Sequence, residues 1–381
     1  MILRNVTLLP GNETLDIKVS GKRITSANNN ESNELELVFE NAIAFPGLIN
    51  SHDHLDFNLF PKLGDPPYDN YAHWGMSIHK NFKSDVDEVL QIPLPLRLEW
   101  GLYKNLLCGV TTVVQHGHHF TDNKGLISVI NNFQCLHSVQ FEKNWILKLN
   151  DPRKHALTVV MHVGEGLDQS SHREINKIIR FNLMGRPLVG VHGIAMDPRQ
   201  AADFKALIWC PASNYFLFDK TANIKLLGLE TLICFGTDST LTAPWNIWDH
   251  IKMARASGNA SDLELYNMLT VNPSILWKQK KGKISPGYLA DLVIARPGIK
   301  LTGLDAFFAL NIEDILLILH EGEIKLIDHV LFEQVGNLLN DLTFTEISIN
   351  GIKKSVAGNL RELITQIQMF VPRMKFPVTL Q

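Results

Sequence analysis

Short runs dense in Val, Ile and Leu recur through the middle of the chain, at 43–51, 110–115, 135–141, 157–163, 188–192, 207–210 and 232–237, with a shorter one at 145–149. Unbroken apolar runs of this length suit strands buried on both faces, as in a parallel sheet. Between them lie stretches with helical spacing, for example 85–107, 125–133, 172–184 and 245–256. Strand and helix in alternation predict repeated β/α units, and eight strands fit a closed (β/α)8 barrel. The 110–141 and 145–163 stretches are tight, which predicts that the fourth unit has lost its helix.

The flanks have a different texture. Residues 1–44 read as short strands and turns: apolar at 2–9, turning at Pro10-Gly11-Asn12, alternating at 15–19, with a hairpin candidate at Ser20-Gly21-Lys22 and a polar loop at 28–33. That segment has too little apolar surface to stand alone. Lys278-Gln279-Lys280-Lys281-Gly282-Lys283 reads as a solvated connector. The remainder is mostly strand-like, with one helical piece at 360–370. The expected organisation is a β-sandwich built from residues 1–45 and 280–381 beside a barrel formed by 46–279.

Composition narrows the function classes. Hydrophobic content of 45% and charged content of 20% in 381 residues are those of a globular protein. A net charge of −3 gives no reason to expect nucleic acid or an anionic membrane as partner. Four scattered cysteines without a Cys-x-x-Cys pair predict reduced thiols and a cytoplasmic protein. Neither a signal-peptide pattern nor a bilayer-length apolar run is present. The expected partner is a small molecule, and a homodimer is compatible with a barrel of this size.

The unusual number is 15 histidines. In a barrel of this kind the site lies at the carboxyl ends of the strands. Four apolar runs end in metal-capable residues: His52 and His54, then His162 with Glu165 three residues on, then His192, then Asp238. In an extended strand His52 and His54 point the same way and make a chelating pair. Neutral nitrogen and carboxylate donors without thiolate suit one divalent ion, Zn²⁺ or Fe²⁺, with a position left for water. One carboxylate can then take a proton from that water and another can pass one to the substrate, the two positions that Asp238 and Glu165 fill.

The chain resembles the amidohydrolase superfamily, within it the hydrolytic deaminase and chlorohydrolase branch. The matching pieces are Pro46 to His54, Gly109-Val110-Thr111-Thr112, His162-Val163-Gly164-Glu165, Val191-His192-Gly193, Cys210 to Asn214, Gly236-Thr237-Asp238-Ser239 and Pro286 to Leu292. The resemblance implies His52, His54, His162 and Asp238 as ligands of a single metal, with Asp238 doubling as base. It implies that His192 holds the attacking water and steadies the oxyanion, and that Glu165 shuttles a proton to a substrate nitrogen. Ser213 and Asn214 take a site-supporting role. Hydrolytic deamination of a nitrogen heterocycle is the leading expectation, opening of a cyclic amide the second, and a non-catalytic binding protein the third. Dinuclear relatives use a bridging lysine, for which Lys143 and Lys148 are the candidates here. The Gln115–His119 loop, with His116, His118 and His119, and Trp74 in the aromatic stretch 57–80 are candidate substrate contacts.

Overall fold

In a computed structural model the chain is described at residues 1–26, 34–122, 124–298, 301–335 and 343–381; the polar loop read at 28–33 lies outside them. Strands β1 (Ile2–Leu8), β2 (Glu13–Ser20), β3 (Arg23–Thr25) and β4 (Glu36–Pro46) open the chain. The barrel strands follow: β5 (Leu48–Asp53), β6 (Val110–Gln115), β7 (Ser128–Ile130), β8 (Gln134–Cys135), β9 (Val159–Val163), β10 (Leu188–His192), β11 (Ala206–Trp209) and β12 (Leu232–Phe235). After them come β13 (Leu292–Ala295), β14 (Ile315–His320), β15 (Glu323–Asp328), β16 (Phe344–Ile349), β17 (Ile352–Ala357) and β18 (Thr379–Leu380).

The first four and last six strands, which sequence places in a sandwich, are joined by continuous pairing in one mixed sheet of order β18-β16-β17-β15-β14-β13-β4-β1-β2-β3. β4 passes into β5 across Gly47, where an added Cβ would overlap the Thr111 side chain. The sheet and the barrel are therefore coupled by a residue that tolerates no side chain.

The architecture is a TIM-like barrel with this additional sheet. β5 to β12 pair in parallel as β5-β6-β7 and β8-β9-β10-β11-β12. β12 returns to β5 through the backbone N–H groups of Thr237 and Asp238, which both donate to His52 O at 3.0 Å. Val114, Ile130, Val160, Val189, Val191 and Ile208 form one apolar cluster with Trp277, the alternate-residue packing of inward-facing barrel positions. β7 and β8 are separated only by residues 131–133. A parallel crossover takes about a dozen residues, so β7 stays with β6, β8 with β9, and the wall is interrupted between them.

Three expectations change accordingly. The helix expected at 125–133 is β7 and its link. The strand expected at 145–149 is a short helix, entered from Asn144 in the left-handed region (φ 57) and burying only Leu149. The strand expected at 135–141 keeps its pairing only at its start. The helix expected at 85–107 divides into α2 (Lys83–Leu90) and α3 (Leu94–Leu107), because Pro93 and Pro95 cannot continue a helical hydrogen-bond ladder. α1 (Tyr71–Asn81) precedes them, capped by Asn70, whose side chain accepts from His73 N.

The lysine-rich connector is not wholly solvated. Lys281 is 2% exposed. Its Nζ donates to Thr112 Oγ1 at 2.9 Å and Ser128 Oγ at 2.7 Å, and pairs with Asp291 at 2.8 Å. Asp291 also faces His320 Nδ1 at 3.2 Å and accepts from Glu321 N at 2.8 Å. One buried ammonium thus ties β6 and β7 to the large sheet.

Candidate active site

His52 and His54 leave one face of β5 and Asp53 leaves the other, as the two-residue period of a strand requires. The ligand atoms of His52, His54 and His162 lie within 4.8 Å of one another, and so do those of His162, Glu165 and His192. His52 Nε2 and His54 Nε2 stand 3.8 and 3.7 Å from Asp238 Oδ1. These separations are too long for hydrogen bonds. They are close to the ~3.4 Å between two ligands each ~2.1 Å from a tetrahedral zinc. Neither ring nitrogen of buried His52 has a hydrogen-bond partner, nor does His192 Nε2. Buried nitrogens left so are costly, and a divalent cation shared with Asp238 would satisfy His52 Nε2. The donor set fits such an ion.

Surrounding groups fix the orientation of each side chain. His162 Nδ1 is 2.9 Å from the carbonyl of His137, so it carries the proton and Nε2 faces the cluster with its lone pair. His192 Nδ1 donates to Asn214 Oδ1 at 2.8 Å, and Asn214 Nδ2 donates to Thr221 Oγ1 at 3.1 Å. Asp238 Oδ2 accepts from Ser213 Oγ at 2.8 Å and Thr242 Oγ1 at 3.1 Å, leaving Oδ1 toward His52 and His54. Burial pushes the Asp238 carboxyl up, but His54, His192 and these hydroxyls bring it below its ordinary value. Glu165 goes the other way: burial first, then the charges of Asp238 and Glu174, hold it well above the ordinary carboxylate range. Two carboxyls in one site are thus pushed in opposite directions, Asp238 down and Glu165 up. His192 (φ 71) and Asp238 (φ 57) sit in the left-handed backbone region, strain of the kind that concentrates at working sites.

Behind β5, Asp53 anchors the histidine pair. It is fully buried and accepts from Asn58, Lys104 and Asn105 at 2.7, 3.0 and 2.8 Å. Lys104, on α3, is 2% exposed. Removing one member of a buried ion pair typically costs about 3–5 kcal/mol. Lys104→Met should therefore lower the thermal midpoint sharply, which differential scanning calorimetry will read; an unchanged midpoint would show that the pair is dispensable.

The other sequence candidates are distributed unevenly. Ser213 and Asn214 touch Asp238 and His192, as above. His116 is 1% exposed with both ring nitrogens unpartnered, and its ring lies 4.4–5.1 Å from those of His52, His54 and His162. His118 and His119 are exposed and outside the cavity, because the chain turns away at Gly117 (φ 141). Lys143 and Lys148 are also exposed, Lys148 pairing with Glu142.

Sequence reasoning missed His137 and Glu174, whereas Tyr71 belongs to the aromatic stretch 57–80 already expected over the site. His137 lies two residues beyond the end of β8, inside the apolar run expected at 135–141. Glu174, on α4 (Gln169–Phe181), accepts from Gly164 N at 2.8 Å. Burial pushes its carboxyl up to about 7 despite that hydrogen bond. A carboxyl raised from about 4.5 to about 7 binds its proton more tightly when folded, so its contribution to stability is complete below the unfolded value and lost as pH rises through 7. Glu174→Gln, which keeps an acceptor for Gly164, should flatten the fall in urea midpoint between pH 5 and 8. A slope equal to that of the parent protein would overturn the assignment.

The cluster forms one end of a cavity of about 780 Å³. Its walls come from the turn after β5 (Phe57, Phe60), from α1 and α2, and from Phe141 and Leu241. α1 is strapped to the Glu165 loop: Tyr71 N donates to Glu165 O at 3.0 Å and Leu167 N to Asp69 O at 2.8 Å. Trp74 lines the cavity with its indole N–H already donated to Leu63 O at 2.9 Å.

The amidohydrolase family profile matches residues 136–324, the span that carries His162, Glu165, His192 and Asp238. Over that span the chain is similar to the amidohydrolase family. Solved structures agree on the fold. A zinc-bound adenosine deaminase from Xanthomonas campestris superposes with TM-score 0.66 at 14% identity, covering 98% of each chain. Atrazine chlorohydrolase from Arthrobacter aurescens complexed with zinc gives 0.65 at 16% identity over 97% of this chain and 100% of the other. Aminofutalosine deaminase from Helicobacter pylori gives 0.60 at 16% identity over 85% of this chain and 99% of the other. No curated protein matches the sequence significantly. No described helix is long and apolar enough to cross a membrane.

Proposed function

We propose that this chain is a metal-dependent hydrolase that deaminates a nitrogen heterocycle by attack of water on a ring carbon. The observation that carries the reading is the meeting of three imidazoles and Asp238 beside a second buried carboxyl, Glu165, at the end of a cavity. His52, His54, His162 and Asp238 would hold one divalent ion. Zinc is favoured by the donor set and by the zinc in the adenosine deaminase and chlorohydrolase of the same fold. The exposed positions of Lys143 and Lys148 argue against a lysine-bridged pair of ions. When bound, the ion would lower the pKa of a coordinated water from near 16 toward ~7.

The chain's own groups do the rest. The Asp238 carboxylate, ionised and with Oδ1 turned inward, takes the proton of the attacking water. Glu165 delivers a proton to the ring nitrogen, which sharpens the electrophile. With Nδ1–H committed to Asn214, neutral His192 presents a lone pair at Nε2. That suits accepting a hydrogen bond from the attacking water; steadying a negative oxygen needs the doubly protonated ring. The sequence-implied oxyanion role is thus narrowed to holding the nucleophile.

Zinc-loaded protein should release ammonia from members of a panel of aminopurines, aminopyrimidines and aminotriazines, with loss on chelation and recovery on adding zinc. A ring-opened product without ammonia would replace deamination with cyclic-amide hydrolysis. Absence of both from zinc-loaded protein would overturn the reading.

A further inference from the structure

Beyond the reacting cluster, the cavity walls are mostly apolar, with His79, Lys80, His137 and Ser239 as the other polar residues. Phe57, Phe60, Ile78, Val86, Phe141 and Leu241 are among the lining residues. The polar atoms among the aromatic side chains are already used, the Trp74 indole by Leu63 O and the Tyr71 hydroxyl by Gln140 N at 3.3 Å. Among the described residues no arginine, asparagine or glutamine lines the space, and its one lysine, Lys80, lies at the exposed end of α1. Three apolar side chains stand open to solvent along the wall, Met76 at 61%, Leu90 at 48% and Phe141 at 48% exposed.

This lining discriminates between substituents. A sugar brings hydroxyls that lose their water on entry, and each one left unpaired is penalised. A phosphate needs converging cations or backbone N–H groups, and one surface lysine does not make such a site. An aromatic or branched alkyl group gains by burial and covers the wall side chains that now face water. The volume is that of a pocket for a whole drug-sized molecule rather than for one ring.

Resting on the proposed deaminase reading, we infer that the substrate is an uncharged heteroaromatic amine carrying a bulky apolar substituent where nucleosides carry ribose. The reacting ring lies at the histidine end and the substituent between α1, α2 and Phe141.

The test uses the zinc-loaded full chain and matched pairs of purine, pyrimidine and triazine amines, N-benzyl against N-ribosyl, with ammonia release as readout. Equilibrium dialysis of the corresponding N-benzyl compounds lacking the amino group measures binding without turnover. In the responsive ring class the benzyl compound should exceed the ribosyl compound at least tenfold in kcat/KM, and its amino-free analogue should bind. Phe141→Ser, at a half-exposed position where folding is undemanding, should shrink the benzyl advantage several-fold; an unchanged ratio counts against the assigned wall. Preference for ribosyl or phosphorylated compounds overturns the inference and leaves deamination standing. Binding of benzyl compounds without ammonia release supports the inference and overturns deamination. Neither binding nor release overturns both.

Discussion

Asp238→Asn should give a folded protein that has lost its zinc and whose turnover has fallen to below roughly one-thousandth of the parent rate. The substitution is well placed to separate charge from shape. Asp238 adopts φ 57, and asparagine tolerates the left-handed region better than almost any other side chain. The backbone therefore has no reason to move. What changes is the oxygen that faces His52 and His54: its negative charge goes, and both hydroxyls that donate to Oδ2, from Ser213 and Thr242, meet a donor if the amide turns. Elemental analysis and the calorimetric midpoint together decide the matter. Zinc retained at the parent level would remove Asp238 from the ligand set, and a collapsed midpoint would mean that the residue acts through the fold.

Glu165→Gln is the complementary experiment, and its expected effect is confined to rate. The carboxyl is buried, 3.6 Å from His192 Nε2, and burial raises it well above its ordinary value, so an amide matches in size and polarity the neutral form that burial favours. An amide cannot release a proton. Zinc content and the binding of amino-free ring compounds should survive, while kcat drops by roughly 10²–10⁴. Zinc lost in parallel with activity would make Glu165 a ligand, in keeping with its proximity to His162 and His192.

The metal-capable residues were readable in sequence because each ends an apolar run. Burial on both faces makes those runs conspicuous, and a polar terminus stands out against them. The interruption between β7 and β8 was not readable. Three residues of strand at Ser128–Ile130 are too few to establish a period, and the flanking apolar residues mimic one face of a helix. The sequence 145–149 fails in the opposite sense, since its apolar density belongs to a helical turn with one buried flank. The cavity wall was half legible. The aromatics of 57–80 marked a covering segment, yet α1 was hidden among turn-forming residues, although Asn70 three positions before His73 is a usable capping signal. Lys281 escaped because a run of lysines looks solvated from composition alone, and nothing local marks the one that turns inward to Asp291.

That inward lysine has a consequence for how the molecule comes apart. An excised fragment ending at residue 279 would lack the cation that Thr112 and Ser128 hold and would expose the strands beneath it. The barrel and the large sheet should accordingly share a single calorimetric endotherm, and expression of 46–279 alone should yield insoluble chains rather than a working catalyst.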